Sequence, residues 1–168
     1  MKKILLLSDT HGYIDDAICK YAEQADEIWH AGDIGSVEVF DRLNAIKPVI
    51  AVHGNIDGNK VRIICPENQR FLCEKKEVWI THIGGYPPNY TPSLKKALTE
   101  NPPGIFICGH SHILKVIYDK DLNILHINPG AAGNSGLHKI RTMVRFTIDG
   151  DNIKDMDVIH LGTRGTQF

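Results

Sequence analysis

The stretch LLLSDTHG, residues 5–12, decides the fold because an apolar run ends abruptly in polar residues. A short run that is apolar on both faces is typical of a strand buried within a parallel sheet. Asp9 and His11 follow this strand directly, two residues apart. The octapeptide alone fits a polar loop as well as the first half of a metal site, so other parts of the chain must supply any further ligands.

Strands and helices alternate over the first third of the chain. Helical spacing of apolar residues covers 14–22, and Ser36 is a candidate N-cap for a second helix that ends near Ile46. Apolar runs predict strands at 3–7, 27–30 and 48–53. This β-α-β-α-β order predicts a mostly parallel sheet with helices on its faces.

The remainder of the chain is richer in strands. We expect a hairpin over 71–81, a helix from Thr91-Pro92 to about residue 100, a strand at 105–108, and short strands between 114 and 160. The chain shows no internal repeat, linker or low-complexity segment. We therefore predict one α/β domain spanning residues 1–168, with a β-rich second half.

Composition narrows the function classes. A formal net charge of -1 gives no general attraction to nucleic acids or anionic membranes, so we expect no stable nucleic-acid complex. The longest apolar runs are too short to span a bilayer, and the N-terminus does not resemble a signal peptide. The four cysteines form no CxxC pair, which favours reduced thiols and a cytoplasmic location.

Polar side chains with ligand atoms follow five of the predicted strands. In open α/β sheets, sites form just outside the carboxyl ends of strands, so these side chains are expected to share one rim. Each motif alone is more typical of a turn or cap, but their joint occurrence at successive strand ends favours a metal site. The seven candidates are Asp9, His11, Asp33, Asn55, His82, His110 and His112.

The ordered set Asp9-x-His11, Gly32-Asp33, Gly54-Asn55, His82 and Gly109-His110-x-His112 resembles the calcineurin-like metallophosphoesterases. More narrowly, it resembles their small single-domain phosphodiesterases, and the resemblance extends to Asn128-Pro129-Gly130 near the site. It implies an αββα sandwich of two mixed sheets flanked by helices, with a dinuclear centre at the carboxyl ends of the strands. One ion is then expected on Asp9, His11, Asp33 and His112, and the second on Asp33, Asn55, His82 and His110, with Asp33 bridging.

The resemblance also implies the chemistry. Asp33, Asn55 and His82 are the expected catalytic residues, and a hydroxide that bridges the ions is the expected nucleophile. Imidazole and oxygen ligands suit Mn, Fe, Co, Ni or Zn better than Ca or Mg, and we expect Mn. Two divalent ions outweigh the charges of two aspartates and a hydroxide, which favours an anionic phosphoryl group as substrate. The expected partners are a small phosphodiester and other copies of the chain in a homo-oligomer.

One position departs from the family pattern. Many members carry a histidine directly after the motif asparagine, where it assists the leaving group, and this chain has Ile56 there. Isoleucine cannot donate a proton, so diesters or esters with good leaving groups are favoured over ordinary monoesters. His53 lies nearby in sequence but need not face the same way.

Two alternatives to this enzyme class share some of these features. Metallo-β-lactamases would place an Asp-His pair after His110-x-His112, where this chain has Ile113-Leu114. Amidohydrolase barrels typically need about 250 residues, so other metallohydrolases are disfavoured. The second alternative is a non-catalytic scaffold of the same fold, like a subunit of the eukaryotic retromer, because fold does not fix function. The filled set of seven candidate ligands favours an enzyme.

Histidines and arginines outside the motif set are predicted to have structural or surface positions. His30 and His53 are expected in or near the core, and three further histidines are expected away from the site, at 126, 138 and 160. Arg141 and Arg145 alternate with apolar residues, which predicts a solvated strand face.

Overall fold

Twelve strands and four helices make up the computed structural model, which describes residues 1–165; residues 166–168 of the expected domain lie outside the described part. The helices are α1 (Asp16–Glu23), α2 (Val37–Ile46), α3 (Asn59–Ile64) and α4 (Pro92–Glu100). The strands are β1 (Lys2–Leu7), β2 (Glu27–His30), β3 (Val49–Ala51), β4 (Asn68–Cys73), β5 (Lys76–Thr81), β6 (Gly85–Tyr86), β7 (Asn89–Tyr90), β8 (Ile105–Ile107), β9 (Leu114–Asp119), β10 (Ile124–Pro129), β11 (Ile140–Asp149) and β12 (Asn152–Thr163).

Ten of these strands form two mixed five-stranded sheets. The first sheet has the order β12-β11-β1-β2-β3, in which β1, β2 and β3 run parallel and β11 pairs antiparallel with β1. The second has the order β4-β5-β8-β10-β9, in which β5, β8 and β10 run parallel. The short strands β6 and β7 pair with each other.

The two sheets stack face to face, and helices cover their outer faces. Side chains of β1 show why: Ile4 and Leu6 belong to the core between the sheets, whereas Leu5 and Leu7 pack with α1 and α2. Alternation with a period of two places successive side chains on opposite faces, and both faces of this strand are buried. A third cluster, which includes Leu94 and Leu98 of α4, covers the second sheet. The predicted αββα layering is confirmed.

Three elements were not predicted from the sequence. Helix α3 was not predicted because its six residues are too few to show helical periodicity, and Val61 is its only fully buried side chain. The two-residue strands β6 and β7 are likewise too short to carry an alternating pattern. No helix among residues 1–165 is long and apolar enough to cross a membrane.

Candidate metal centre

The seven predicted side chains lie together where the carboxyl ends of the two sheets meet. Those from the first sheet follow β1, β2 and β3, and those from the second follow β5 and β8. Contacts across the sheets hold the two rims together. Nδ1 of His82 lies 2.7 Å from the carbonyl oxygen of Ala31, and the amide of His110 donates to Oδ2 of Asp9 at 3.1 Å.

The side chains form two groups of potential ligands. The first group is Asp9, His11 and His112, and the second is Asp33, His82 and His110; within each group the ligand atoms lie within 4.8 Å of one another. Asn55 joins the second group, since its Oδ1 lies 3.0 Å from Nδ1 of His110. The division into two sets is the same as the one the sequence resemblance implies.

Asp33 connects the two groups through a single oxygen atom. Its Oδ2 lies 3.5 Å from Nε2 of His11 in the first group and 3.2 Å from Nε2 of His82 in the second. Its other oxygen, Oδ1, accepts a hydrogen bond from the backbone amide of Ile56 at 3.1 Å. The carboxylate is therefore held on one side and presents one oxygen to both sets of ligands.

Asp9 is held in a similar way. Its Oδ2 accepts hydrogen bonds from the Ser8 hydroxyl at 2.6 Å and the His110 amide at 3.1 Å. Its Oδ1 faces Nε2 of His112 at 3.2 Å and Nε2 of His11 at 3.7 Å. Two nitrogen or oxygen ligands about 2.1 Å from one ion lie about 3–3.5 Å apart, so these separations are close to those of a coordination shell.

Buried atoms without hydrogen bonds mark the same place. Among the described residues, Oδ1 of Asp9, Nε2 of His11 and Nε2 of His82 are buried and have no hydrogen-bond partner. Buried polar atoms are normally paired, and an unpaired one needs an explanation. Three such atoms converging from separate strand ends fit a cation, which suits carboxylate oxygens and imidazole nitrogens alike.

Hydrogen bonds set the tautomers of two histidines so that Nε2 carries a free lone pair. Nδ1 of His82 donates to the Ala31 carbonyl. The Gly133 carbonyl accepts from Nε2 of His138 at 2.8 Å, so Nδ1 of neutral His138 accepts from Nδ1 of His112 at 3.1 Å. Burial lowers the pKa of His138, which keeps this ring neutral. Such partners orient ligand imidazoles in metal sites.

The two carboxylates are ionised. Burial opposes ionisation of Asp9, but the adjoining imidazoles of His11 and His112 outweigh it and hold its pKa well below the usual value. Burial also opposes ionisation of Asp33, and His82 outweighs it, so the pKa of Asp33 is lowered as well. The centre therefore offers two negative charges to a cation.

Five of the seven side chains sit on backbone with a positive φ. The angles are 53° at Asp9, 47° at His11, 53° at Asp33, 70° at His110 and 61° at His112. Non-glycine residues adopt this region uncommonly, and such conformations persist where surrounding structure enforces them. The tight turns after the strands are what aim these side chains into one space.

Glycines next to the ligands allow close backbone approach. A Cβ at Gly54 would collide with Oδ1 of Asp33 and lie 2.5 Å from its backbone nitrogen. A Cβ at Gly32 would lie 2.6 Å from Nδ1 of His82. Only glycine fits at these two positions with the loops as they are.

Asp57 holds two of the ligand-bearing loops and was not identified from the sequence. Its buried carboxylate accepts from the backbone amides of Ile34 at 3.1 Å, Gly35 at 2.7 Å and Gly54 at 2.8 Å. These amides flank Asp33 and Asn55. The only sequence signal is its position two residues after Asn55 in a turn, and that pattern does not distinguish a clamp from an ordinary turn residue.

Asn128 supports the loop that carries the last two histidines. Its Nδ2 donates to the Gly109 carbonyl at 3.0 Å and to the Ser111 hydroxyl at 3.1 Å, and Ser111 also contacts the Tyr86 hydroxyl. The expectation that the segment 128–130 lies near the site agrees with this placement. Tyr86 belongs to the short hairpin formed by β6 and β7.

The other histidines have different surroundings. His30 is buried and bonds to Thr10 and Gly32, as expected of a core histidine. His126 is buried against Phe106, and His160 is exposed on β12. His138, expected away from the site, instead contacts His112, because the loop before β11 folds back over the β1 end.

The interpretation of Arg141 as part of a solvated face is wrong. Arg141 is buried, pairs with Asp15 at 2.9 Å and donates to the Ala132 carbonyl, because α1 packs over this end of β11. Arg145 is exposed, as expected, and pairs with Asp157.

Comparison with known proteins agrees with this geometry. The model of the calcineurin-like phosphoesterase superfamily domain matches residues 1–151. The chain belongs to this superfamily. A probable metallophosphoesterase from Methanothermobacter thermautotrophicus is 30% identical over 162 residues, which cover 94% of this chain and 91% of the relative.

Solved structures share the fold. Vps29 from Entamoeba histolytica in complex with Zn²⁺ superposes with a TM-score of 0.74 at 15% identity, covering 94% of this chain and 98% of that one. A novel archaeal phosphodiesterase superposes with a TM-score of 0.70 at 21% identity, covering 94% and 99%. Members of this superfamily depend on divalent metals, and the two ligand groups described above are consistent with that dependence.

Proposed function

We propose that the protein is a phosphodiesterase that uses two divalent metal ions. The ligands of the first ion are Asp9, His11, Asp33 and His112, and those of the second are Asp33, Asn55, His82 and His110. The observation that carries this proposal is the position of Oδ2 of Asp33, within 3.5 Å of an imidazole nitrogen from each group. One oxygen that faces both groups is what a bridging carboxylate requires.

The ligand set indicates the kind of metal. Imidazole nitrogens with carboxylate and amide oxygens suit Mn, Fe, Co, Ni or Zn, and we take Mn as the first choice. When bound, two such ions lower the pKa of a water and stabilise negative charge on the phosphoryl oxygens during hydrolysis.

The residues of the chain position these components. Asp33 holds both groups in one arrangement, and the amide of Ile56 fixes the orientation of its carboxylate. His82 presents Nε2 because the Ala31 carbonyl occupies its Nδ1 proton. Asn55 contacts His110 at the exposed side of the second group, where a substrate has access. Asp33, Asn55 and His82 are therefore our candidates for the catalytic residues.

The side chain of Ile56 supports a diester as substrate. It is 48% exposed and directly follows Asn55, at the position where many members of the family carry the leaving-group histidine. A general acid typically contributes 10²–10⁴-fold, and an alkyl monoester needs that help most. A diester carries one negative charge less and is activated by the metals alone.

A scaffold function is the second candidate. The likeness in fold to Vps29 of E. histolytica supports this candidate. That structure was solved with Zn²⁺, and a bound metal alone does not demonstrate catalysis. The complete ligand set favours the enzyme. Turnover, rather than metal binding, has to separate the two.

The decisive experiment combines metal content with hydrolysis. Protein purified with Mn²⁺ should retain close to two ions per chain and should hydrolyse bis-p-nitrophenyl phosphate. Asp33→Asn keeps the shape but removes the bridging charge, so activity should fall by orders of magnitude. His160→Ala, an exposed histidine on β12, should leave activity nearly intact. Two bound ions without turnover would favour the scaffold, and equal mild effects of both substitutions would refute the bridging role.

Three other features support proposals about the location, the oligomeric state and the substrate of the enzyme. All four cysteines are free, which supports a cytoplasmic location. Strand β9 is an edge of the second sheet with exposed apolar residues at 116–118, which supports a homo-oligomer. The near-neutral chain supports a small phosphodiester substrate rather than a nucleic acid.

A further inference from the structure

A cavity of about 280 Å³ adjoins the second group of candidate ligands. Asn55 and His82 form the wall on the metal side, and the residues that line the remainder include His53, Arg62 and Glu67. Ligand pockets commonly measure about 300–1,000 Å³, so this cavity suits one substituent of a substrate rather than a whole molecule.

Arg62 brings a positive charge to this cavity without a carboxylate partner. Its guanidinium donates to the Asp57 carbonyl at 2.6 Å, to the Gly54 carbonyl at 3.4 Å, and to Nε2 of His53 at 3.3 Å. All three acceptors are neutral, and within residues 1–165 no carboxylate oxygen lies within 4.0 Å of a guanidinium nitrogen of Arg62. The group is thus oriented, but its charge is not neutralised by an ion pair.

The hydrogen-bond capacity of Arg62 is only partly used. A guanidinium has five N–H donors, and three contacts leave two of them free. Two guanidinium donors are what a phosphate or carboxylate accepts in a bidentate contact. Arg62 is thus oriented beside the proposed metal centre with donors left for a second oxyanion.

His53 serves this receptor rather than the leaving group. Its Nδ1 donates to the Cys65 carbonyl at 2.8 Å, which leaves Nε2 as the acceptor for Arg62. A neutral histidine with this tautomer has no proton to give at Nε2. His53 therefore does not replace the family's leaving-group histidine, and it holds Arg62 in place.

We propose that this cavity binds a second phosphate group of the substrate through Arg62, so that the preferred substrates are phosphodiesters bearing a further phosphate on one alcohol. This inference rests on the proposed phosphodiesterase function. Glu67 lines the same cavity, and its negative charge disfavours anions close to it. The second phosphate is therefore expected only in direct contact with Arg62.

The test compares two esters that differ by one remote phosphate. The substrates are the 5′-p-nitrophenyl ester of thymidine 5′-phosphate, with and without a 3′-phosphate, and the Mn²⁺-loaded protein is used throughout. We expect kcat/KM to be about tenfold higher or more for the 3′-phosphorylated ester, as suits a charge-assisted contact. Arg62→Met should reduce this ratio to about one, and Arg62→Lys should retain part of it.

Two matched variants accompany the arginine substitutions. Lys60→Met removes an exposed charge from the same helix and should leave the ratio unchanged. Glu67→Gln should raise the ratio, because it removes a negative charge from the cavity wall. Equal loss with both esters in Arg62→Met would overturn the proposal, since it would show that Arg62 only supports the loop.

A binding measurement separates this inference from the proposed function. Titration calorimetry compares thymidine 3′,5′-bisphosphate with thymidine 5′-phosphate, and we expect tighter binding of the bisphosphate that is lost in Arg62→Met. A wild type that hydrolyses bis-p-nitrophenyl phosphate but shows no preference in either assay would refute the second phosphate subsite alone. Absence of all hydrolysis would refute the proposed function, and the calorimetry would still decide the subsite.

Discussion

Substitution of Asp57 should destabilise the protein although this residue is not a candidate metal ligand. Its buried carboxylate is the shared acceptor for the amides of Ile34, Gly35 and Gly54, at distances of 2.7–3.1 Å. In Asp57→Ala all three donors lose this acceptor. The amides of Ile34 and Gly54 are deeply placed, whereas Gly35 is exposed and can bond to water instead.

The expected cost follows from these three contacts. An unsatisfied buried donor costs about 1–3 kcal/mol, so two such donors and one weaker loss amount to about 3–5 kcal/mol. Domains of this size unfold with about 5–15 kcal/mol, and each kcal/mol shifts Tm by about 2–4 °C. We therefore expect a decrease in Tm of about 6–20 °C for the metal-free protein.

Urea and thermal unfolding in the presence of a chelator measure this change without a contribution from bound metal. Asp41→Ala provides the control, because Asp41 is exposed on α2 and accepts no hydrogen bond described for residues 1–165. Asp57→Asn keeps the volume and part of the acceptor capacity, and should fall between wild type and Asp57→Ala. A loss below about 1 kcal/mol in Asp57→Ala would refute the clamp, since it would match the cost of an ordinary surface substitution.

Three further substitutions test the centre itself. Gly54→Ala should reduce metal content and activity at least about a hundredfold, because the added Cβ displaces the Asp33 carboxylate. Gly58→Ala is the control and should resemble wild type, since a Cβ at Gly58 meets no atom within 4 Å. Similar activities in the two variants would contradict the steric argument. His138→Ala should weaken metal binding by about 10–100-fold, measured by chelator competition, and unchanged affinity would show that His112 needs no partner for its tautomer. Ile56→His should raise hydrolysis of an alkyl phosphate monoester, such as glycerol phosphate, relative to bis-p-nitrophenyl phosphate, and an unchanged ratio of kcat/KM values would refute the leaving-group interpretation.

The strands that are followed directly by polar residues could be predicted from the sequence. Apolar runs such as 3–7 and 105–108 are short, bounded by polar turns, and correspond to strands β1 and β8. Because ligand candidates follow such strands directly, their convergence could be expected from the rule for parallel sheets. The αββα arrangement of two sheets came from the resemblance and is confirmed.

Contacts between distant loops could not be predicted in the same way. His138 lies 26 residues after His112 in a segment without periodicity, and its contact depends on how that loop folds over β1. Asp57 and Arg62 act through backbone amides and carbonyls, which leave no signature in the side-chain pattern. The seven candidate ligands were visible because they occur together at five successive strand ends, whereas their supports are single residues in common turns.

The left-handed backbone at the candidate ligands has a consequence for the evolution of this fold. A left-handed conformation costs a non-glycine residue about 1–2 kcal/mol, and five such residues surround one centre, among them Asp9 and Asp33. Selection for the site therefore keeps the chain below the stability that its architecture could reach. A descendant released from that selection would gain stability by accepting glycine at these turns. Glycine in place of an aspartate or histidine at the strand ends would then distinguish a lineage that has abandoned the chemistry from one that still performs it.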